Sequence, residues 1–236
     1  MSLSWIAAAV ADAGALALSG DARLIGIIGL TLQVSLTAAA LSALAGVLLG
    51  AGLAVGRFRG RGALIVLFNA AMGLPPVVAG LVVYLLLSRA GPLGGLGILF
   101  TPAAMVIAQV LLITPVVAAL SRQIIEDAWC EYEEQLTSLG VTRARAALTL
   151  VWDTRFSLVT VGLAGLGRAL AEVGAVMIVG GNIDGVTRVM TTAIALETTK
   201  GDLPLALALG VILLTVVLLL NLGAHFLREW SVRKYG

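Results

Sequence analysis

The sequence has little charge, one cysteine and one histidine. Only 12% of its 236 residues are charged, whereas about a quarter of the residues in a soluble domain are. The single cysteine, Cys130, excludes an internal disulfide and a metal site built from cysteines, and the single histidine, His225, leaves little imidazole chemistry. The sequence has no phosphate-binding Gly-x-x-x-x-Gly-Lys-Ser/Thr loop, no His-Glu-x-x-His motif and no Ser-His-Asp set. We therefore expect neither an enzyme nor a chain that hydrolyses ATP by itself.

Apolar residues fill the sequence instead. They make up 60% of it, and the mean hydropathy is +1.06. Because there are too few polar side chains to cover a surface in water, we expect much of the surface to contact membrane lipid. The net charge of +2 comes from basic residues scattered between apolar blocks. Nucleic acid is therefore not an expected partner.

Five stretches are long and apolar enough to cross a membrane, which takes about 20 helical residues. They are residues 25–55, 63–87, 98–119, 157–179 and 203–226. The apolar segment 5–18 is too short to span, contains Asp12 and lacks a basic flank, so we predict an interfacial helix there. The expected fold is an all-α polytopic membrane bundle that forms one transmembrane domain over residues 1–236.

The basic residues predict the orientation of the chain. With five spans and the N-terminus outside, the inner side would hold Arg57, Arg59, Arg61, Arg122, Arg143, Arg145, Arg155, Arg228, Arg233 and Lys234. The outer side would hold only Arg23, Arg89, Arg188 and Lys200. Because Lys and Arg are enriched on the cytoplasmic side, the sequence predicts a cytoplasmic (inner) membrane protein with its N-terminus outside and its C-terminus in the cytoplasm. The turn at 57–61 is interpreted as a topology anchor.

Prolines are expected to break two of the spans. Pro75 and Pro76 lie in the middle of the second predicted span, and Pro102 and Pro115 are expected to interrupt the third. Each removes a backbone hydrogen bond that lipid cannot replace, so such breaks are expected where other helices or a wet cavity surround them. Small residues recur on the first and fourth spans and favour close helix packing: Gly46, Gly50, Gly52, Gly162, Gly165 and Gly167.

Residues 121–156, called the loop below, form the only sizeable polar segment. Apolar residues recur at helical spacing over 124–139, Gly140 is expected to end that helix, and a basic helix is predicted over 143–150. The loop could simply connect two spans. Since most connections are short, a structured loop of about 36 residues favours a docking role.

The run Glu134-Gln-Leu-Thr-Ser-Leu-Gly140, followed by Leu150-Val-Trp-Asp, resembles the coupling-loop motif of ABC importer permeases. In that motif Glu-Ala-Ala is followed three residues later by Gly, and after nine more by an apolar residue and Leu-Pro. Glu134, Gly140 and Leu150 match in spacing, whereas the two alanines and the Leu-Pro are replaced. The resemblance implies that the loop docks on an ATPase subunit. The residues expected to take part are Glu133, Glu134, Leu139, Gly140, Arg143 and Leu150.

A second block, residues 167–197, resembles permeases for tungstate and molybdate and is most similar to the tungstate type; residues 72–84 and 91–102 do so too. The resemblance covers about residues 25–228 and implies the type I importer permease fold. It also implies an ATP-driven oxyanion importer, for tungstate or alternatively molybdate or sulfate. The implied partners are a second copy of the chain, an extracytoplasmic oxyanion-binding protein and a cytoplasmic ATPase in which ATP and Mg act. This chain is expected to bind no cofactor.

The candidate pathway residues begin with an ion pair inside the fourth span. Arg168 and Glu172 are four residues apart and would share one helical face. Either Arg168 lines the path and attracts an oxyanion, or the two residues form a structural pair that holds helices or subunits together. The other candidates are Pro75, Pro76, Asn182, Thr191 and Thr192.

Asn182, Thr191 and Thr192 follow the fourth span. The sequence Gly-Gly-Asn-Ile-Asp-Gly at 180–185 predicts a turn, and residues 187–199 read as a short helix carrying threonines. Hydroxyl and backbone N–H groups there could bind a tetrahedral oxyanion weakly, as conduction requires. An ordinary extracellular cap explains the same residues.

Two other classes of protein stay open. A transporter driven by an ion gradient would show midplane carboxylates and inverted repeats, and Glu172 is nearly alone in the predicted membrane core. A membrane scaffold would bind partners through the loop without moving a solute.

Overall fold

The computed structural model describes residue 14 and residues 21–235, with side chains described except at 224, 225 and 227–235. The interfacial helix predicted at 5–18 lies outside these residues. In chain order the helices are α1 (Ala22–Val55), α2 (Arg61–Met72), α3 (Pro76–Leu87), α4 (Pro102–Ser138), α5 (Arg143–Asp153), α6 (Arg155–Ala171), α7 (Gly174–Gly180), α8 (Met190–Lys200) and α9 (Leu203–Tyr235). A 3-10 helix, Gly94–Leu96, lies between α3 and α4. Residues 21–235 contain no strand, so the all-α prediction is confirmed.

Three helices, α1, α4 and α9, are long and apolar enough to cross a membrane. Two helix pairs, α2 with α3 and α5 with α6, pass the same length and composition criteria only together, which gives up to five spans. Helix α1 covers the first predicted span, and α9 covers the fifth and continues beyond it. The predicted number of about five spans is consistent with this range.

The second predicted span is two helices. Helix α2 ends at Met72, where the N–H of Gly73 bonds the carbonyl oxygen of Ala70 at 3.1 Å, and α3 begins at Pro76. Proline is well suited to the first position of a helix because its missing N–H would have no partner there. The break predicted at Pro75 and Pro76 is confirmed.

The prediction that Pro102 and Pro115 interrupt the third span is wrong. Pro102 begins α4, and Pro115 lies inside α4 without ending it. Leu112, Ile113 and Val117 around it are buried, and their packing offsets the hydrogen bond that proline removes. The 37-residue α4 also joins the third predicted span to the first helix of the loop. Residues 119–124 contain neither glycine nor proline, so nothing in the local sequence ends the helix there.

The fourth predicted span is also broken, which the sequence analysis did not predict. Helix α6 ends at Ala171, and α7 begins at Gly174, so Glu172 and Val173 lie between two helices. Glycine at the start of α7 permits close contact with α3, because an added Cβ at Gly174 would lie 3.0 Å from Cγ2 of Val77. This contact gives a packing reason for the break.

The chain forms two compact units. The first comprises the described residues within Met1–Thr37, Pro76–Gln109 and Leu170–His225. Helices α3 and α7 lie in it at close range, since an added Cβ at Gly80 would lie 2.7 Å from Cα of Ala175. Another part of this unit has its own apolar cluster, which consists of Leu24, Met190, Ala193, Ala208, Leu209 and Ile212.

The second unit comprises the described residues within Ala38–Pro75, Val110–Ala169 and Phe226–Gly236. Its apolar cluster joins the end of α1 to α4, α5 and α6, and consists of Ala51, Ala54, Val55, Ile125, Trp129, Ala146, Leu150 and Leu158. Most of the loop therefore packs in the same unit as the end of the first span.

Glycines let α1 and α4 approach closely within the second unit. An added Cβ at Gly50 would lie 2.7 Å from the carbonyl oxygen of Ala118 and 2.8 Å from the backbone nitrogen of Arg122. Gly52, two residues further along α1, has no such neighbour within 4 Å. The packing role predicted for small residues thus holds at Gly50 and is not seen at Gly52.

We predict that Gly50→Ala destabilises the protein and that Gly52→Ala does not. The methyl group at position 50 would meet backbone atoms, and overpacking of this kind costs about 1–3 kcal/mol. The measurement is the melting temperature of each purified variant in the same detergent. Equal melting temperatures for the two variants would contradict the packing assigned to α1 and α4.

Candidate functional site

The loop folds as helix, glycine turn, helix, as predicted. Helix α4 ends at Ser138, and Gly140 has a φ of +69°, a conformation that glycine adopts without steric cost. The N–H of Val141 donates to the carbonyl oxygen of Leu136 at 3.0 Å, which closes the turn before α5. Gly140 therefore sets the direction in which the second helix leaves the first.

One face of α5 packs inside the protein. Ala146 is fully buried, and Leu150, one turn later, is 1% exposed. Both belong to the cluster with Val55 and Trp129. Leu150, which the sequence placed among the coupling residues, therefore holds α5 in position and offers little surface to a partner.

Two charged residues of the predicted coupling set also bond within the chain. The guanidinium Nη1 of Arg143 donates to the carbonyl oxygen of Val55 at 2.6 Å, and its Nη2 lies 3.7 Å from Oε1 of Glu133. The same glutamate oxygen accepts a hydrogen bond from Arg57 Nη2 at 3.0 Å. Arg143 also lies over the ring of Trp129, 5.5 Å from its centroid. Arg143 thus bonds the loop to the end of α1, and Glu133 bonds it to the turn that follows α1.

The exposed side of the loop carries large apolar side chains. Leu139 is 76% exposed, Leu148 is 63% exposed and Trp152 is 71% exposed. We call these three residues the loop surface; Glu134 of the predicted set is exposed as well. Neighbouring exposed apolar side chains, such as Leu148 and Trp152 one turn apart on α5, are typical of a protein interaction site when they form a contiguous patch.

Leu148 and Trp152 were not predicted as surface residues from the sequence. They are four residues apart on α5 and therefore lie on one face, whereas Ala146 and Leu150 share the buried face. Both pairs, Ala146 with Leu150 and Leu148 with Trp152, have the same four-residue spacing. The spacing of apolar residues therefore does not predict which pair is buried. The guanidinium of Arg155 lies 4.9 Å from the centroid of the Trp152 ring and contacts this indole.

The predicted helical pairing of Arg168 with Glu172 rests on a continuous span, and that premise is wrong. Arg168 is in the last turn of α6, and Glu172 lies beyond its end. The Glu172 carboxylate accepts a hydrogen bond from the N–H of Ala175 at 3.0 Å and is buried with its residue 8% exposed. The first N–H groups of a helix have no partner within it, and an acidic group is favourable there because that end carries partial positive charge. Nε of Arg168 is buried and has no hydrogen-bond partner among the described residues.

The candidate threonines bond backbone groups, Thr191 at this break and Thr192 at the start of α8. The hydroxyl of Thr191 donates to the carbonyl oxygen of Glu172 at 2.9 Å, and the hydroxyl of Thr192 accepts from the N–H of Val189 at 3.1 Å. Both threonines are buried. Asn182 has a φ of +50° in the turn, and its Nδ2 lies 3.4 Å from the carbonyl oxygen of Thr192.

The structure therefore brings Glu172, Asn182, Thr191 and Thr192 into one unit, where they bond backbone groups. Pro76 begins α3 in the same unit, and its neighbour Val77 contacts the start of α7 at Gly174. Pro75 and Arg168 belong to the second unit. The described contacts of the threonine hydroxyls are with the chain itself.

Comparison with known proteins finds relatives that match most of the chain, although no family model matches it. A probable anion ABC transporter permease of Haloferax volcanii is 41% identical over 209 residues, which cover 86% of this chain and 90% of the relative. A tungstate uptake system permease of Peptoclostridium acidaminophilum is 37% identical over 227 residues, or 96% of this chain and all of the relative. One from Campylobacter jejuni is 38% identical over 161 residues, which is 68% of this chain and 67% of the relative.

The Peptoclostridium and Haloferax matches cover 96% and 86% of the chain. A chain with this sequence identity over this length shares the family of its relatives. The chain belongs to the ABC transporter permease family.

Proposed function

We propose that the chain is the membrane-spanning subunit of an ATP-driven importer that carries tungstate across the cytoplasmic membrane. The observation that carries this proposal is the similarity to permeases named for tungstate uptake, over 96% of the chain in one relative and 68% in another. As a permease of this family the chain is a transport component, and the ATPase subunit of such a system hydrolyses ATP. The basic residues favour an orientation with the N-terminus outside, which places the loop in the cytoplasm.

The loop surface is the proposed contact with the ATPase. Leu139, Leu148 and Trp152 are exposed apolar groups that can be buried against a partner, and exposed Glu134 and Arg145 lie near them in sequence. Interfaces of this kind gain most of their affinity from a few apolar or aromatic anchors surrounded by polar residues. Two copies of the chain would each present one such surface, and a substrate-binding protein would deliver the anion from outside.

We predict that truncating the loop surface separates the ATPase from the permease without unfolding the permease. Leu148→Ala and Trp152→Ala each remove an exposed anchor, and we expect about a fivefold or greater loss of ATPase binding. Leu150→Ala is the matched comparison, because it removes a buried leucine from the same helix. It should lower the melting temperature clearly, since such truncations cost about 2–5 kcal/mol.

The measurement is co-purification of the ATPase together with the melting temperature of the permease alone. Full ATPase binding by the double variant Leu148→Ala, Trp152→Ala would contradict the proposed contact. A melting temperature of that variant as low as that of Leu150→Ala would contradict the assignment of these side chains to the surface.

The broken span is proposed to support the anion pathway through the shape of its backbone. The N–H of Ala175 and the hydroxyl of Thr191 bond within the chain, so neither is offered to the anion. Glu172 is negatively charged when ionised and would repel tungstate, so its proposed role is to cap Ala175 and keep the break formed. Thr191 supports the same break through the carbonyl oxygen of Glu172.

We predict that Glu172→Ala reduces uptake and lowers stability, whereas Glu172→Gln retains most of both. Alanine leaves the buried N–H of Ala175 without its acceptor, which costs about 1–3 kcal/mol. Glutamine keeps a carbonyl oxygen that can accept the same hydrogen bond but loses the negative charge. Uptake into vesicles and melting temperature are the two measurements. A Gln variant as defective as the Ala variant would show that the charge, and not the cap, is what matters.

The cargo is tested with the complete system, which consists of this chain, its ATPase and its binding protein in liposomes. Tungstate, molybdate and sulfate are all tetrahedral dianions, so each is supplied alone and as a competitor. We expect ATP-dependent tungstate uptake that excess sulfate reduces less than excess molybdate does. Sulfate or molybdate uptake that exceeds tungstate uptake at equal concentration would overturn the cargo assignment.

A further inference from the structure

The last turn of α1 ends inside a group of arginines. The final four carbonyl groups of a helix have no partner within it. Here Arg61 Nε donates to the carbonyl oxygen of Leu53 at 2.6 Å, and Arg143 Nη1 donates to that of Val55 at 2.6 Å. Arg61 Nη2 also lies 3.4 Å from the carbonyl oxygen of Ala54. Positive groups are favourable at a helix C-terminus because the carbonyl ends carry partial negative charge.

These arginines come from different elements. Arg61 begins α2 and Arg143 begins α5. The end of the first span is therefore bonded on one side to the next membrane helix and on another to the loop. The bonds are directional, unlike the apolar contacts of the cluster beneath them, so they fix the position of the helix end.

Two glutamates of α4 form ion pairs with these arginines. Oε1 of Glu126 lies 2.6 Å from Arg61 Nη2, and Oε2 of the same carboxylate bonds Arg122. Glu133 accepts from Arg57 at 3.0 Å and lies 3.7 Å from Arg143. Each glutamate thus joins two arginines.

We name Arg61, Arg143, Glu126 and Glu133 the arginine clasp. Its four side chains are between 30% and 39% exposed, so water screens them only in part. Interactions of charged groups with this burial are stronger than those of fully exposed pairs. The arginine clasp bonds the end of α1 to the first residues of α2 and α5 and to α4, all within the second unit.

We propose that Arg61 and Arg143 are positioning residues that make the end of α1 follow the loop when the ATPase moves it. This inference rests on the proposed function, in which the loop surface receives that movement. Arg143 leads into α5, whose outer face carries Leu148 and Trp152, and its guanidinium bonds the carbonyl oxygen of Val55 at the end of α1. A displacement of α5 therefore pulls directly on α1. The sequence alone had assigned the Arg57–Arg61 turn only to topology and Arg143 only to ATPase contact.

The test measures tungstate uptake and ATP hydrolysis in the same liposomes, which contain the complete system. Arg61→Gln and Arg143→Gln remove the charged donors. We expect uptake per ATP hydrolysed to fall about fivefold or more, the lower end of coupling strengths between sites in proteins. ATPase binding and hydrolysis should remain, because the loop surface is intact.

Arg59→Gln is the matched control. Arg59 is an exposed arginine of the same turn and forms no ion pair within the described part of the chain. Its substitution removes the same charge near the membrane, and uptake per ATP should stay at the wild-type value. A loss as large as that of Arg61→Gln would overturn the inference in favour of a general charge effect.

Lysine variants keep the test decisive if a glutamine variant fails to fold. Arg61→Lys and Arg143→Lys retain the charge but lack the planar guanidinium, which can donate to a carbonyl oxygen and a carboxylate at the same time. Uptake per ATP should therefore lie between the values of the wild type and the glutamine variants. Wild-type uptake per ATP in folded variants at both positions would overturn the inference, as would loss of ATPase binding in folded Arg143→Gln. Failure of wild-type protein to take up tungstate with ATP would instead overturn the proposed function.

Discussion

Every backbone N–H and carbonyl group that lies in a bilayer has to find its partner within the protein, and this constraint governs where the helices of this chain can break. At the break between α6 and α7 the Glu172 carboxylate bonds the N–H of Ala175, and Thr191 bonds the carbonyl oxygen of Glu172. At the end of α1 arginines bond the last carbonyl groups. Polar side chains that look like candidates for binding a solute are therefore first of all partners of the backbone.

The loop has one side that packs against the protein and one side that is exposed. Buried Leu150 and half-buried Glu133 and Arg143 attach the loop to the end of α1 and the turn after it. Exposed Leu148 and Trp152 lie on the other side, which is free to meet a partner. A helix with an attached face and a free face can pass a displacement from one to the other. In the proposed function, this arrangement lets a movement of the loop reach the end of α1 through a small number of directional bonds.

Sequence reasoning predicted the all-α membrane fold, the break at Pro76 and the turn at Gly140, because proline, glycine and hydrophobic length act locally. It did not predict the break at Glu172, since an acidic residue inside an apolar stretch reads equally well as an ion-pair member or as a cap. It placed Leu150 on the coupling surface because the motif gives spacing and not burial. Which face of α5 is buried depends on Val55 and Trp129, residues far away in sequence.

In the proposed function, ATP hydrolysis in a partner subunit drives transport through this chain. The most direct measurement is tungstate uptake and ATP hydrolysis in liposomes containing the complete system, with ionophores present to abolish every ion gradient. We expect uptake to continue and to rise in proportion to the ATP hydrolysed. Uptake that stops when the gradients collapse, while ATP hydrolysis continues, would contradict the account and identify a transporter driven by an ion gradient.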